Sequence, residues 1–228
     1  MTVSIHQPNY LPWLGFFNKV KLSDIFVIFD DVQFPRGKKH FGHRNKIKTN
    51  NGDIWLTVPL IGKSELKSFN TISINYENDW RKKHLSLIEN FYKKSPYYSD
   101  YYSSICDIIK ANYNSLHELN TKLILYFLQE LEIDTKILLS SDICPSDLNG
   151  GSKIDFILDE LKATNYISGS GPGSKRYIDE ENFKQRNINL IWQEYKHPVY
   201  NQQYNDFLPY MAIIDLLFNE GPNSKNII

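Results

Sequence analysis

The sequence predicts an α/β fold, a mainly parallel, Rossmann-like sheet with flanking helices and an inserted helical region. Three observations lead there. Short runs of β-branched and aromatic residues alternate along the chain with stretches of helical apolar periodicity, the pattern of strands joined by helices. Ile25 to Phe29 is a continuous apolar run closed by Asp30 and Asp31, as a strand buried on both faces requires. No internal repeat or low-complexity linker breaks the 228 residues, 41% of them apolar and 23% charged, so the chain reads as a single α/β domain, 1–228, with the helical insertion at about 76–133.

The elements follow in order. Val3 and Ile5 open a first strand. Pro8 and Pro12 then forbid a helix through HQPNYLP, because proline lacks an amide donor and drives the residue before it toward extended backbone. A helix runs from Trp13 to Leu22 with Trp13, Phe16, Phe17 and Val20 on one face, and the Ile25–Phe29 strand completes a βαβ unit. Asn51-Gly52 marks a hairpin turn, followed by the strand-like IWLTVPL. Trp80, His84, Leu87, Ile88 and Phe91 are helically spaced, as are Leu116, Leu119, Leu123, Phe127 and Leu131, and Ser115 with Glu118 starts the second of these helices as a capping box. TKILLS, NYISGS and NINLIWQEY are further strands, with a helix carrying Ile154, Ile157, Leu158 and Leu161 between the first two. Phe207, Tyr210, Ile214, Leu217 and Phe218 mark a terminal helix that stops at Gly221-Pro222.

Charge narrows the function classes. Lys plus Arg and Asp plus Glu are both 26, so a wholly basic nucleic-acid binder is not indicated. The distribution is uneven, however. Between Arg36 and Lys48 lie six basic residues and two histidines without an acid, a candidate anion-binding surface for a nucleotide diphosphate or an RNA backbone. Cys106 and Cys144 are too few for a disulfide framework, and the start shows no secretory signal and no membrane span, so a reducing, cytoplasmic setting is expected. No metal site is expected either, since Asp30 and Asp31, adjacent on a strand, point to opposite faces. The tyrosines between Tyr92 and Tyr113 read as loop and helix surface.

In open parallel sheets, ligands bind beyond the carboxyl ends of the strands. His6, at a strand exit before a proline-constrained turn, can act as general base, acid or phosphate donor; a histidine bonding only backbone is the plainer alternative. Gln7 beside it can read a ligand amide or simply cap the helix, and Tyr10 lies in the same turn. Ser168, Gly169 and Ser170 open a glycine-rich loop whose amides can cradle phosphate, with Lys175 and Tyr177 behind it. Arg36, Lys38, His43, Arg44 and Lys19 supply candidate contacts to an anionic ligand, and Trp13 a stacking face. Near the C-terminus, His197 and Tyr200 lie in a polar, aromatic loop, and Asp215 and Asn219 share a helix face, where structural pairing is the plainer reading.

The opening HQPNYLPWLGFFNK, with YISGSG and the closing FLPYMAIIDLLFNEG, resembles the WbqC-like family of bacterial proteins over nearly the whole chain. The resemblance implies a transferase of surface-polysaccharide (O-antigen) biosynthesis acting on a nucleotide-linked amino sugar by N-acyl or aminoacyl transfer to the sugar amine. It leaves open an activated donor such as an acyl-CoA, an acyl carrier protein or an aminoacyl-tRNA. In outline the chain is also similar to HIGH-type nucleotidyltransferases, but Gln7, Pro8 and Asn9 follow His6 where that motif has its second histidine. A non-catalytic sugar-nucleotide binding module is a further alternative.

Overall fold

The computed structural model describes all residues except Arg36, Lys38, Lys39, 63–66 and Asn205. Its chain divides into two units. The first comprises Met1–Gln7, Asn18–Val32 and Asp134–Lys196; the second Pro8–Phe17, Gln33–Ile133 and His197–Ile228. The helical region expected at 76–133 is therefore part of a larger unit that also takes in the hairpin and the C-terminal segment.

The first unit is built on a five-stranded sheet in the order β5-β2-β1-β6-β7. Its strands are β1 Thr2–His6, β2 Ile25–Ile28, β5 Lys136–Leu139, β6 Asn165–Gly169 and β7 Asn189–Gln193, and every pairing is parallel. The pleat sends Val3 and Ile5 of β1 to one face. There they join Val27 and Tyr166 against Ile154, Ile157 and Leu158 of α6 (Gly150–Glu160) and Phe183 of α8 (Glu180–Gln185). Ser4 and His6 belong to the opposite face. On that side the Ser23 hydroxyl, just beyond α1 (Leu14–Lys21), donates to Ser4 Oγ at 2.7 Å. A short helix, α7 (Pro172–Lys175), follows β6.

The second unit contains the antiparallel hairpin β3 (Arg44–Thr49) and β4 (Gly52–Thr57), with Thr49 paired to Gly52 across the expected turn. It also holds helices α2 (Trp80–Tyr92), α3 (Tyr98–Lys110), α4 (Leu116–Glu130) and α9 (Ile213–Glu220). Ser115 caps α4, its hydroxyl accepting from the Glu118 amide as the capping box requires. The terminal helix starts at Ile213, later than the apolar spacing from Phe207 suggests. Pro209 and the left-handed backbone of Tyr210 (φ 64°) keep 207–212 out of the helix. Tyr92 and Tyr101 are buried, so the expectation of an all-surface tyrosine cluster fails at those two positions.

The loop between β1 and α1 shows how a proline-broken segment can still be buried. Residues 8–12 are all buried, so their backbone groups need partners. Asn120 Nδ2 donates to the Pro8 and Gly42 carbonyls at 2.9 and 2.7 Å. The Tyr10 amide donates to Phe41 O, Asn45 Nδ2 to Leu11 O, and the Ile213 amide to Pro12 O. Leu11 is held in the left-handed region at φ 44°. Among the described residues, no helix is long and apolar enough to cross a membrane.

Candidate functional site

β1 lies at the centre of the sheet. From it the chain first moves to β2 and β5 on one side, then crosses to β6 and β7 on the other. The strand order thus reverses between β1 and β6, and the crevice beyond their carboxyl ends is where open α/β sheets bind ligands. His6 ends β1 and Gly169 ends β6; His6 pairs with Ile28 and Gly169 with Gln193, while the pairing of β1 with β6 runs from Thr2–Asn165 to Ser4–Ile167.

The ring of His6 is half-buried, and Nδ1 lies 2.8 Å from the Gln7 carbonyl oxygen. A carbonyl only accepts, so Nδ1 carries the proton and Nε2 the lone pair. Burial, aided by the charge of Lys19, pushes the imidazole down to about 3, against the raising effect of the Gln7 bond. The ring is therefore neutral at any ordinary pH. Lys19 on α1 is itself buried, donates to the Ile5 carbonyl at 3.2 Å, and is pushed by burial down to about 7. Beside it Asn18 Oδ1 accepts from Gln193 Nε2 at 3.0 Å. A Cβ added at Gly169 would lie 3.2 Å from Ser174 Oγ, so the missing side chain leaves room at the end of β6. Sequence reasoning missed Asn18 and Gln193. Their only signal was a polar residue at the end of an apolar strand and another within an apolar helix.

The remaining loop residues of this unit stand apart from His6. Ser168 is buried with Tyr166 on the opposite side of the pleat. Ser170 and Lys175 are exposed, Lys175 Nζ lying 5.4 Å from the Trp192 ring centroid. Tyr177 packs against the α6 start, where Gly150 and Gly151 leave space for its ring and carbonyl. Asp30 and Asp31 lie past the end of β2, which overturns the expectation of opposed side chains on a strand. Both turn to the Ser140 hydroxyl; Asp30 also accepts from Ser141, and Asp31 pairs with buried Lys153. Among the described residues, no cluster of His, Cys, Asp and Glu could hold a metal ion.

In the second unit, several expected site residues have structural partners. Tyr10 is fully buried and its hydroxyl donates to His84 Nδ1 at 2.9 Å, while His84 bonds the Thr57 backbone. The Trp13 ring lies over Gly15, where any Cβ would come within 2.2 Å of it, and meets Tyr210 edge-on at 5.4 Å. His43 sits tilted to Phe34 and His40, and burial lowers it to about 4. The anion-binding surface expected between Arg36 and Lys48 is partly dissolved. Arg44 stacks on Trp55 at 4.0 Å, Lys46 pairs with Asp53 at 2.8 Å, and buried Lys48 donates to the Asp206 carbonyl. Arg36 and Lys38 lie outside the described residues.

Asp215 takes the structural role. Its carboxylate is fully buried and accepts from Tyr92, Tyr200 and Gln202, each at 2.7 Å, while Asn219 Nδ2 donates to its backbone carbonyl. Burial raises its carboxyl above the usual range, against the lowering effect of these donors. His197 is half-buried among Tyr200, Phe207 and Tyr210, and Nδ1 donates to the Pro198 carbonyl at 2.8 Å.

Comparison with known proteins agrees with the whole-chain extent of this architecture. The WbqC-like protein family model matches residues 7–227. An uncharacterised protein of Mycobacterium tuberculosis, Rv1507c, is 30% identical over 228 residues, covering 99% of this chain and 96% of its own length. No solved structure matches. With the family pattern covering all but the first six residues and the last, the chain belongs to the WbqC-like protein family.

Proposed function

We propose that the protein is a transferase of surface-polysaccharide biosynthesis that moves an acyl or aminoacyl group onto the amine of a nucleotide-linked amino sugar, with His6 as the general base. Membership of the family supports the polysaccharide setting. The observation that supports the chemistry is the Nδ1–H bond from His6 to the Gln7 carbonyl at the strand-order reversal, which fixes the lone pair on Nε2.

In this reading the sugar amine attacks the carbonyl of the activated donor, a C–N bond forms, and the bond from that carbonyl to the leaving group breaks. The amine proton passes to Nε2 and then to the departing thiolate or alkoxide. A ring pushed down to about 3 is a weak base, so it takes the amine proton only as the C–N bond forms and passes it on to the leaving group. Gln7 keeps the ring oriented through its carbonyl. Asn18 and Gln193 offer amide groups to sugar hydroxyls along the same edge.

The test is incubation with dTDP- and UDP-linked amino sugars and a panel of acyl-CoA, acyl carrier protein and aminoacyl-tRNA donors, read by mass spectrometry. The reading expects a mass gain on the sugar equal to one acyl or aminoacyl group. A gain of a nucleotidyl group with pyrophosphate release, or no product with any pair, contradicts it.

A further inference from the structure

Three lysines are buried among the described residues, and two of them have charge compensation nearby. Lys153 is paired with Asp31, and Lys48 has Asp206 and Asp215 close to it. Lys19, only 2% exposed, has one acceptor, the Ile5 carbonyl, and no acidic partner among the described residues. An ammonium has three donors and needs a counter-charge when it leaves water. Among the described residues, the other two N–H groups of the protonated amine and its charge thus have no partner, beside the Ile5 carbonyl one residue before His6.

We infer that Lys19 is the anion hook of this site, its ammonium held for a phosphate group of the ligand, which brings the counter-charge that the chain withholds. The inference rests on the proposed site at His6 and names its ligand chemistry as a nucleoside diphosphate. The other cations expected for that task are engaged elsewhere or outside the described residues: Arg44 stacks on Trp55, and Lys175 lies over Trp192. Because burial lowers Lys19 to about 7, the amine is largely neutral near pH 8, and binding a dianion there draws a proton onto it.

The experiment is calorimetry of UDP binding to the full chain near pH 8, in two buffers of different ionisation enthalpy, with thermal melting in parallel. Wild type should bind UDP with uptake of close to one proton. Lys19→Met should weaken UDP by about tenfold to a hundredfold, the value of a charged hydrogen bond, and at pH 6, where the amine is charged, should melt no lower than wild type, because it removes an uncompensated buried charge. No UDP binding by wild type, binding without proton uptake, or equal UDP affinity in Lys19→Met overturns the inference. A lower melting temperature with unchanged affinity assigns Lys19 to structure alone and overturns it as well. If Lys19→Met does not fold, the proton uptake of wild type still decides. Lys19-dependent UDP binding without any group transfer leaves this inference standing and removes the transfer reading, whereas transfer with unaltered KM in Lys19→Met does the reverse.

Discussion

At the scale of single residues, polar side chains of similar appearance in the sequence divide by what surrounds them. His6 holds a fixed tautomer at a strand end, whereas His84 is used up between the Tyr10 hydroxyl and the Thr57 backbone. Tyr10 and Asp215 read from the sequence as site residues or pairing partners, and both are fully buried with protein hydrogen-bond partners. The Asp215 carboxylate, with three neutral donors around it, makes the clearest case for a stability measurement. Tyr92→Phe removes one of those donors from a fully buried carboxylate, so urea unfolding should show a loss of about 1–3 kcal/mol. An unchanged midpoint would mean that Tyr200 and Gln202 alone satisfy the group. The sequence could not show this network, because Tyr92 and Asp215 are 123 positions apart and meet only through the fold.

Between residue and molecule, the elements were largely readable. All five sheet strands, the hairpin and the capping box of α4 have local signals: β-branched runs, Asn-Gly, and Ser three residues before Glu. Less readable was the conspicuous HQPNYLPWLG opening. Its prolines announce a turn, but only the structure shows that Asn45, Asn120 and Ile213 satisfy the carbonyls of that turn and that Trp13 lies across Gly15. Much of this motif therefore builds the second unit, and His6 and Gln7 are the part left at the edge of the sheet. Gly15→Ala puts a methyl where the indole ring lies. It should displace Trp13, seen as a change in tryptophan emission, and cost about 1–3 kcal/mol. A variant with native emission and stability would show that the ring moves aside freely.

Across the whole molecule, charge and pH act together. Burial lowers His6 to about 3 and His43 and His84 to about 4. A group lowered in this way binds fewer protons folded than unfolded between its folded value and about 6.5, so stability rises with pH across that window and is lost as the pH falls. Asp215, raised by burial, works in the opposite direction. Melting temperature should thus fall steadily from pH 6.5 to 4, with roughly 3 kcal/mol at stake for His84 alone. His84→Gln, whose amide oxygen can still accept from Tyr10, should flatten that fall; an equally steep fall would remove His84 from the account. The parallel order β5-β2-β1-β6-β7 also explains why the site was only partly readable. Sequence placed His6 and the glycine loop at strand ends, but the reversal that sets β6, with β7 beyond it, beside β1 is a property of strand order. Asn18 joins them only because Gln193 reaches it across the sheet.

The most direct trial of the base assignment is to compare His6→Gln with wild type for turnover and for sugar-nucleotide affinity in the same preparation. The assignment expects turnover to drop by about 10²–10⁴-fold with affinity within a few-fold of wild type; equal turnover in the two proteins would contradict it.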